Sequence, residues 1–538
     1  MPHESPRSPA PRQIDALPPR LRALTDLVPG SMREMVGMHE YDGVAADLSP
    51  EGVESGMRRL DTEATRSYGD THDEAHSTAF EDGLRLSNLE LEEYRSNPLM
   101  HVSEMDLSGY DREYAPREQR DRARAEHLRR WPRVVDNALE SLDRVPAPVA
   151  RSLMGAVEGV GADVPAYLPA HERETALAAH ARLVAHVRKA AEEGPAEATL
   201  GADRLSRLMG VPEAAHVDLS VLARRAEEER DRLREGLAEA TARLAPGREP
   251  MEVTRELTAR SPSAGRVLDA ARHWTRLARE FTAERGLVPD DTGECRVEAS
   301  PESQRWATAM MAGGGPWEGD TPSYYYITPP QPSWSPQEST EWLEMFSHTT
   351  LPAVSVHEVA PGHFSHWRSM RALKSPVRAA LHSMTFAEGW AHYAEEMLLE
   401  EGFGAYAAER AAGADFLDGH EWTPTHYEVG VYVEALIRVT RLSVAIAMHT
   451  GGANVAEGAV RFEQDTPLRG PAALSEARRA TFDPTYGRYT WGKLEILAVR
   501  ERARRAWGEG FSLTRFHRAL LDLGSPPIGL LDTALERG

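Results

Sequence analysis

The residues best equipped for chemistry lie between 354 and 397, which reads VSVHEVAPGHFSHW, a spacer, and then FAEGWAHYAEEM. The first piece carries His357, Glu358 and His363; the second carries Glu388 and, one helical turn later, His392. Imidazole and carboxylate are the donors of a catalytic Zn²⁺, which usually takes three protein ligands and leaves a fourth position to water. His357, His363 and Glu388 form such a set. His392 is the main rival for the third place, and His366 and His382 are weaker ones. A lone helical histidine would mean little; the combination carries the reading. Adjacent residues on a helix point about 100° apart, so Glu358 is expected to reach a water on the ion as general base rather than bind the ion itself.

The spacing is unusual. Two histidines four apart share one helix face, but HEVAPGH puts them six apart, about 120° round a regular helix. Pro361 also lacks a backbone N–H, and Gly362 permits unusual backbone angles. The helix carrying His357 is therefore expected to bulge or break at Ala360 to Gly362, swinging His363 back beside His357.

The surrounding pattern is almost wholly helical. Residues 1–18, rich in Pro, Ser and Arg, read as a disordered lead-in, 19–290 as an N-terminal helical region and 291–538 as the metal-binding region, with one continuous fold also open. Helices are expected near 18–28, 50–68, 171–191, 218–244 (capped by Asp218) and 251–285. In 111–142, Pro132 is expected to begin a second helix. CRVEASP (295–301) and SYYYITP (323–329) read as strands flanking a glycine-rich loop. Their sheet is expected beside the metal helix, as packing or as an edge for an extended peptide. The segment 424–452 is apolar nearly all round and should be buried, so Arg438 and Arg441 need partners: a core carboxylate or a substrate carboxylate. Tyr486, Tyr489, Trp491 and Lys493 crowd a turn at Asp483–Pro484. Arg438, Arg441 and Tyr486 are the candidates for holding substrate.

Composition narrows the function. Lys plus Arg is 62 and Asp plus Glu is 84, a formal charge of −22, which argues against nucleic acid or an anionic membrane as partner. A small molecule or short peptide is the expected substrate. The single cysteine, Cys295, allows no internal disulfide, and neither a signal-peptide core nor a membrane-spanning run is legible, so a cytoplasmic protein is expected.

HEVAPGH followed by FAEGWAHYAEE, then YTWGKLEILAVRER and FHRALLDLGSPPIGLL, resembles the bacterial domain-of-unknown-function 885 family, whose members look like helical, gluzincin-type zinc metallopeptidases. The resemblance implies a mainly α fold, a large helical metallopeptidase-like architecture with a small β-sheet beside the metal-binding helix and a deep central cleft. It assigns zinc to His357, His363 and Glu388, the general base to Glu358, and oxyanion stabilisation to Tyr489; apart from the resemblance, His392 is the alternative donor to the oxyanion. Two positions depart from the family pattern: Ala445 stands where many members carry aspartate, and Tyr486 where many have a glutamine-containing turn. Many relatives resemble exported lipoproteins, whereas no such signal is legible here, and an intracellular specialist, such as a tailoring enzyme acting on one small molecule, is the expectation that fits the difference. The expected activity is hydrolysis of a peptide or amide bond. The alternatives are lyase or other tailoring chemistry on the same metal and a non-catalytic binding protein, the last disfavoured by the intact His–Glu pair.

Overall fold

The computed structural model describes residues 17–305 and 307–538; residues 1–16, most of the expected lead-in, lie outside them. The helical periodicity of the first half becomes helices Arg117–Ser141, Ala147–Gly159 and Ala170–Glu193, which bury Leu128, Trp131, Val135, Leu183 and Val187 in one core. Pro132 does not begin a new helix as expected but sits inside the first of these. Trp131 and Val135 on either side of it are fully buried, and that apolar burial outweighs one lost backbone hydrogen bond.

Helix α1 (Leu219–Leu244) is capped by the Asp218 carboxylate, which accepts from the N–H groups of Ser220 and Val221. The helix expected over 251–285 is two, Pro250–Thr258 and α2 (Val267–Arg285), broken at ARSPSAGR where Pro262 and Gly265 interrupt it. A three-stranded sheet follows: β1 (Cys295–Ala299), β2 (Ala309–Ala312) and β3 (Ser323–Ile327). β3 is central, parallel to β1 (Val297 opposite Tyr325) and antiparallel to β2 (Met311 opposite Tyr325). β2 was not expected, because AMMA is four residues long without polar alternation.

The remainder is α3 (Thr350–Glu358), α4 (His363–Met370), α5 (Met384–Glu400), α6 (Pro424–His449) and α7 (Arg488–Trp507). The sheet lies against α3: the hydroxyls of Tyr325 and Ser355 are 3.5 Å apart. The fold is mainly helical with this small sheet beside the helix that bears His357. One hydrophobic core joins Leu233 and Leu237 of α1, Trp274 of α2, Tyr325 of β3, Val356 of α3, Trp390 of α5, Leu436 of α6 and Ile496 of α7, and so runs across residue 290. Among the described residues, no helix is long and apolar enough to cross a membrane.

Candidate metal centre

α3 ends at Glu358 and α4 begins at His363, so the histidines sit at the end of one helix and the start of the next. The break falls where Pro361 and Gly362 required it. A Cβ on Gly362 would lie 1.8 Å from the His357 carbonyl oxygen, so only glycine lets the chain fold back this closely. The fold-back puts the two rings 4.9 Å apart at 86°.

Glu388 arrives from α5. Next to it, a Cβ on Gly389 would lie 2.5 Å from the Gly492 carbonyl carbon of α7, and a Cβ on Gly492 would lie 2.1 Å from the Thr385 oxygen. Paired glycines therefore let α5 and α7 cross at backbone contact and set the depth of Glu388. One Glu388 oxygen then stands 3.5 Å from His357 Nε2 and 3.4 Å from His363 Nε2. Among the described residues, His357, His363 and Glu388 are the group of three whose ligand atoms all lie within 4.8 Å of one another. The 3.4–3.5 Å spacings exceed a good N–H···O bond. Two donors about 2.0–2.1 Å from one ion at a tetrahedral angle stand about 3.3–3.4 Å apart, so the donors present fit a single small divalent ion.

Glu395, which sequence reasoning missed, backs this group. It is 0% exposed, and its Oε1 accepts a 2.6 Å hydrogen bond from His357 Nδ1. Its Oε2 is 3.3 Å from Arg438 Nη1 and 3.6 Å from His392 Nδ1. Burial and the Arg438 guanidinium both oppose protonation of His357, yet Glu388 and Glu395 outweigh them and lift it to about 9 in the metal-free centre. Burial likewise opposes ionisation of Glu388, but the two imidazoles hold it well below the usual carboxylate range. Burial pushes Glu358 up, partly offset by His357 and His363.

The other candidates divide. Tyr489 is half-buried, its ring stacked on His357 at 6.4 Å and flanked by the Arg438 and Arg441 guanidiniums at 5.9 and 5.3 Å. His392 lies outside the cluster, buried between Glu395 and Lys493, and burial with the nearby Lys493 charge lowers it to about 4. Arg438 is not open to a substrate: it is buried and bonds Glu395 and Glu434, the latter at 3.0 Å. Arg441 is likewise engaged by Glu476 through two bonds of 2.7 and 2.8 Å. Tyr486 is 0% exposed inside the Val444–Phe462–Ala477 cluster, so the structure places it in the core between α6 and the segments that follow rather than facing a substrate. Neither His366, whose Nε2 meets the Gly524 carbonyl at 3.0 Å, nor His382 belongs to the cluster. A separate recess of about 950 Å³, lined by Arg272, Arg279, Asp291 and Cys295 among others, includes none of the three.

The family described as "Bacterial protein of unknown function (DUF885)" matches residues 31–535. Two solved structures share the fold. A candidate lipoprotein of unknown function from Shewanella oneidensis superposes with a TM-score of 0.70 at 19% identity, covering 95% of this chain and 97% of that one. A candidate lipoprotein from Colwellia psychrerythraea gives 0.73 at 15% identity, covering 96% and 97%. The M32 carboxypeptidase from Deinococcus radiodurans R1 gives 0.41 at 14% identity over 97% and 95%, too loose a superposition to carry an argument. No curated protein shows significant similarity. The chain belongs to the DUF885 family.

Proposed function

We propose that this DUF885 member is a zinc-dependent hydrolase of a peptide or amide bond, with His357, His363 and Glu388 as ligands and Glu358 as general base. The observation that carries the reading is the approach of both imidazole Nε2 atoms to one Glu388 oxygen, with Glu358 adjoining the group but not part of it. Neutral imidazole and carboxylate suit zinc, and three protein donors leave one position open. When bound, the ion supplies Lewis acidity toward a carbonyl and an acidified water.

The chain's own groups supply the rest. Glu358 takes a proton from the attacking water; burial lifts its carboxyl and so moves its basicity toward neutral pH. Tyr489, beside His357, is the donor to the oxyanion. His392, behind Glu395, has no such reach. The substrate is a short peptide or small amide.

Glu358→Gln keeps the side-chain size and removes the base. Zinc content should stay at one per chain while kcat on a responsive dipeptide or blocked peptide falls about a hundredfold or more. Unchanged turnover in that variant would remove Glu358 from the mechanism. Full zinc occupancy with no activity across the peptide panel would sink the hydrolase reading and favour other metal chemistry.

A further inference from the structure

The two histidines of the centre are held unequally. His357 Nδ1 meets the buried Glu395 carboxylate at 2.6 Å, whereas His363 Nδ1 is buried without a hydrogen-bond partner among the described residues. We infer that Glu395 is a positioning residue that fixes the ring and tautomer of His357 and thereby sets the affinity of the centre for zinc; this rests on the metal reading above.

The geometry supports it at each step. His357 Nε2 faces Glu388, so metal binding requires the lone pair on Nε2 and the proton on Nδ1. Glu395 Oε1 is the acceptor of that Nδ1 proton, which selects this tautomer and holds the ring plane. The carboxylate cannot rotate freely. Its Oε2 is held at 3.3 Å by Arg438, which Glu434 anchors in turn, and the Tyr427 hydroxyl donates to the Glu395 carbonyl at 2.9 Å. Glu388 and Glu395 are also two helical turns apart on α5, so one rigid helix presents a ligand and the brace of another ligand on nearly the same face. A carboxylate, unlike a backbone carbonyl, also makes the imidazole a stronger donor to the ion.

The neighbouring Glu396 provides the control. It is on the same helix and largely buried, and it pairs with Lys493 and Arg232 rather than with His357. The test is zinc affinity of the full-length apoprotein, measured by competition with a chromophoric chelator, for wild type, Glu395→Gln, Glu395→Leu and Glu396→Gln. Far-ultraviolet spectra and melting curves accompany each measurement. Glu395→Gln should bind zinc about 10–100-fold more weakly, the usual cost of removing such a partner, and Glu395→Leu more weakly still. Glu396→Gln should keep wild-type affinity even where its melting temperature falls. The visible spectrum of the Co²⁺-loaded protein should shift in Glu395→Gln and not in Glu396→Gln. Equal affinity in wild type and Glu395→Gln overturns the inference while leaving the ligand set standing. Equal weakening in both Gln variants overturns it too, because the effect would then be one of helix stability. A wild type that takes up no zinc overturns the metal reading itself.

Discussion

Two groups of buried histidines can be set side by side. His357 and His363 meet a carboxylate, Glu388, with a second carboxylate, Glu395, behind. His72, His76 and His382 are as deeply buried, yet the charges around them are different: His76 is faced by His72, His382 and Arg378. In the first group carboxylates outweigh burial and lift His357. In the second, burial drives all three down, aided by Arg378 at His72 and His76, with His72 and His382 at about 4. Burial of imidazole is thus common to both; convergence of ring nitrogens on an anionic oxygen is what makes one of them a candidate metal centre.

The sharpest way to break this contrast is metal content. His357→Ala and Glu388→Ala should each lose zinc, whereas His76→Ala should keep one zinc per chain by elemental analysis. Zinc retained at full occupancy in both His357→Ala and Glu388→Ala would end the ligand assignment; zinc lost in His76→Ala would make the second group part of the centre.

Tyr489→Phe comes next. The phenol has no counterpart in the second group, and its ring packing on His357 survives the change. Zinc content should hold and kcat should drop about tenfold to a hundredfold with KM little altered, since the hydroxyl acts on the transition state. A rise in KM at constant kcat would assign the hydroxyl to ground-state binding instead.

Gly389→Ala tests whether backbone contact between α5 and α7 sets the position of Glu388. The added Cβ would meet Gly492 at 2.5 Å, and the helices would have to part. Overpacking of this kind costs about 1–3 kcal/mol. A lower melting temperature with weaker zinc binding is expected; an unchanged melting curve would show that the crossing is slack.

Much of the candidate metal centre was legible because its residues are close in sequence. His357, Glu358 and His363 lie in seven residues, the Pro361–Gly362 break is written between them, and EGWA carries Glu388, the third member of the group. Glu395 had a signal that went unread: seven residues beyond Glu388, it returns to nearly the same helix face. Arg438 carried half of one: Glu434, four residues before it on α6, is an i,i+4 partner, but nothing in 424–452 says that the guanidinium also meets Glu395 across the bundle. Tyr486 and Pro132 were less legible, since packing against other helices overrode what turn and helix propensity implied.

The smallest expected effect concerns the second histidine group and pH. In the folded chain His72, His76 and His382 are neutral, with His72 and His382 titrating near 4, while an unfolded histidine titrates near 6.5. Between those values each of these histidines binds more protons unfolded than folded, so their contribution to unfolding free energy falls as pH falls from about 6.5 toward 4. The charged neighbours do not reverse this sign. Arg378 and Arg537 oppose protonation of His72, and Asp73 and Asp70, which favour it, are engaged by Arg378 and Arg537. Replacing His382 by Gln removes one such titration without adding a charge. Wild type and His382→Gln should therefore differ in the slope of chemical-denaturation stability against pH across that window, with the variant shallower, whatever their offset at pH 7. Parallel slopes would mean that His382 titrates alike in both states, and that its burial here does not hold it neutral.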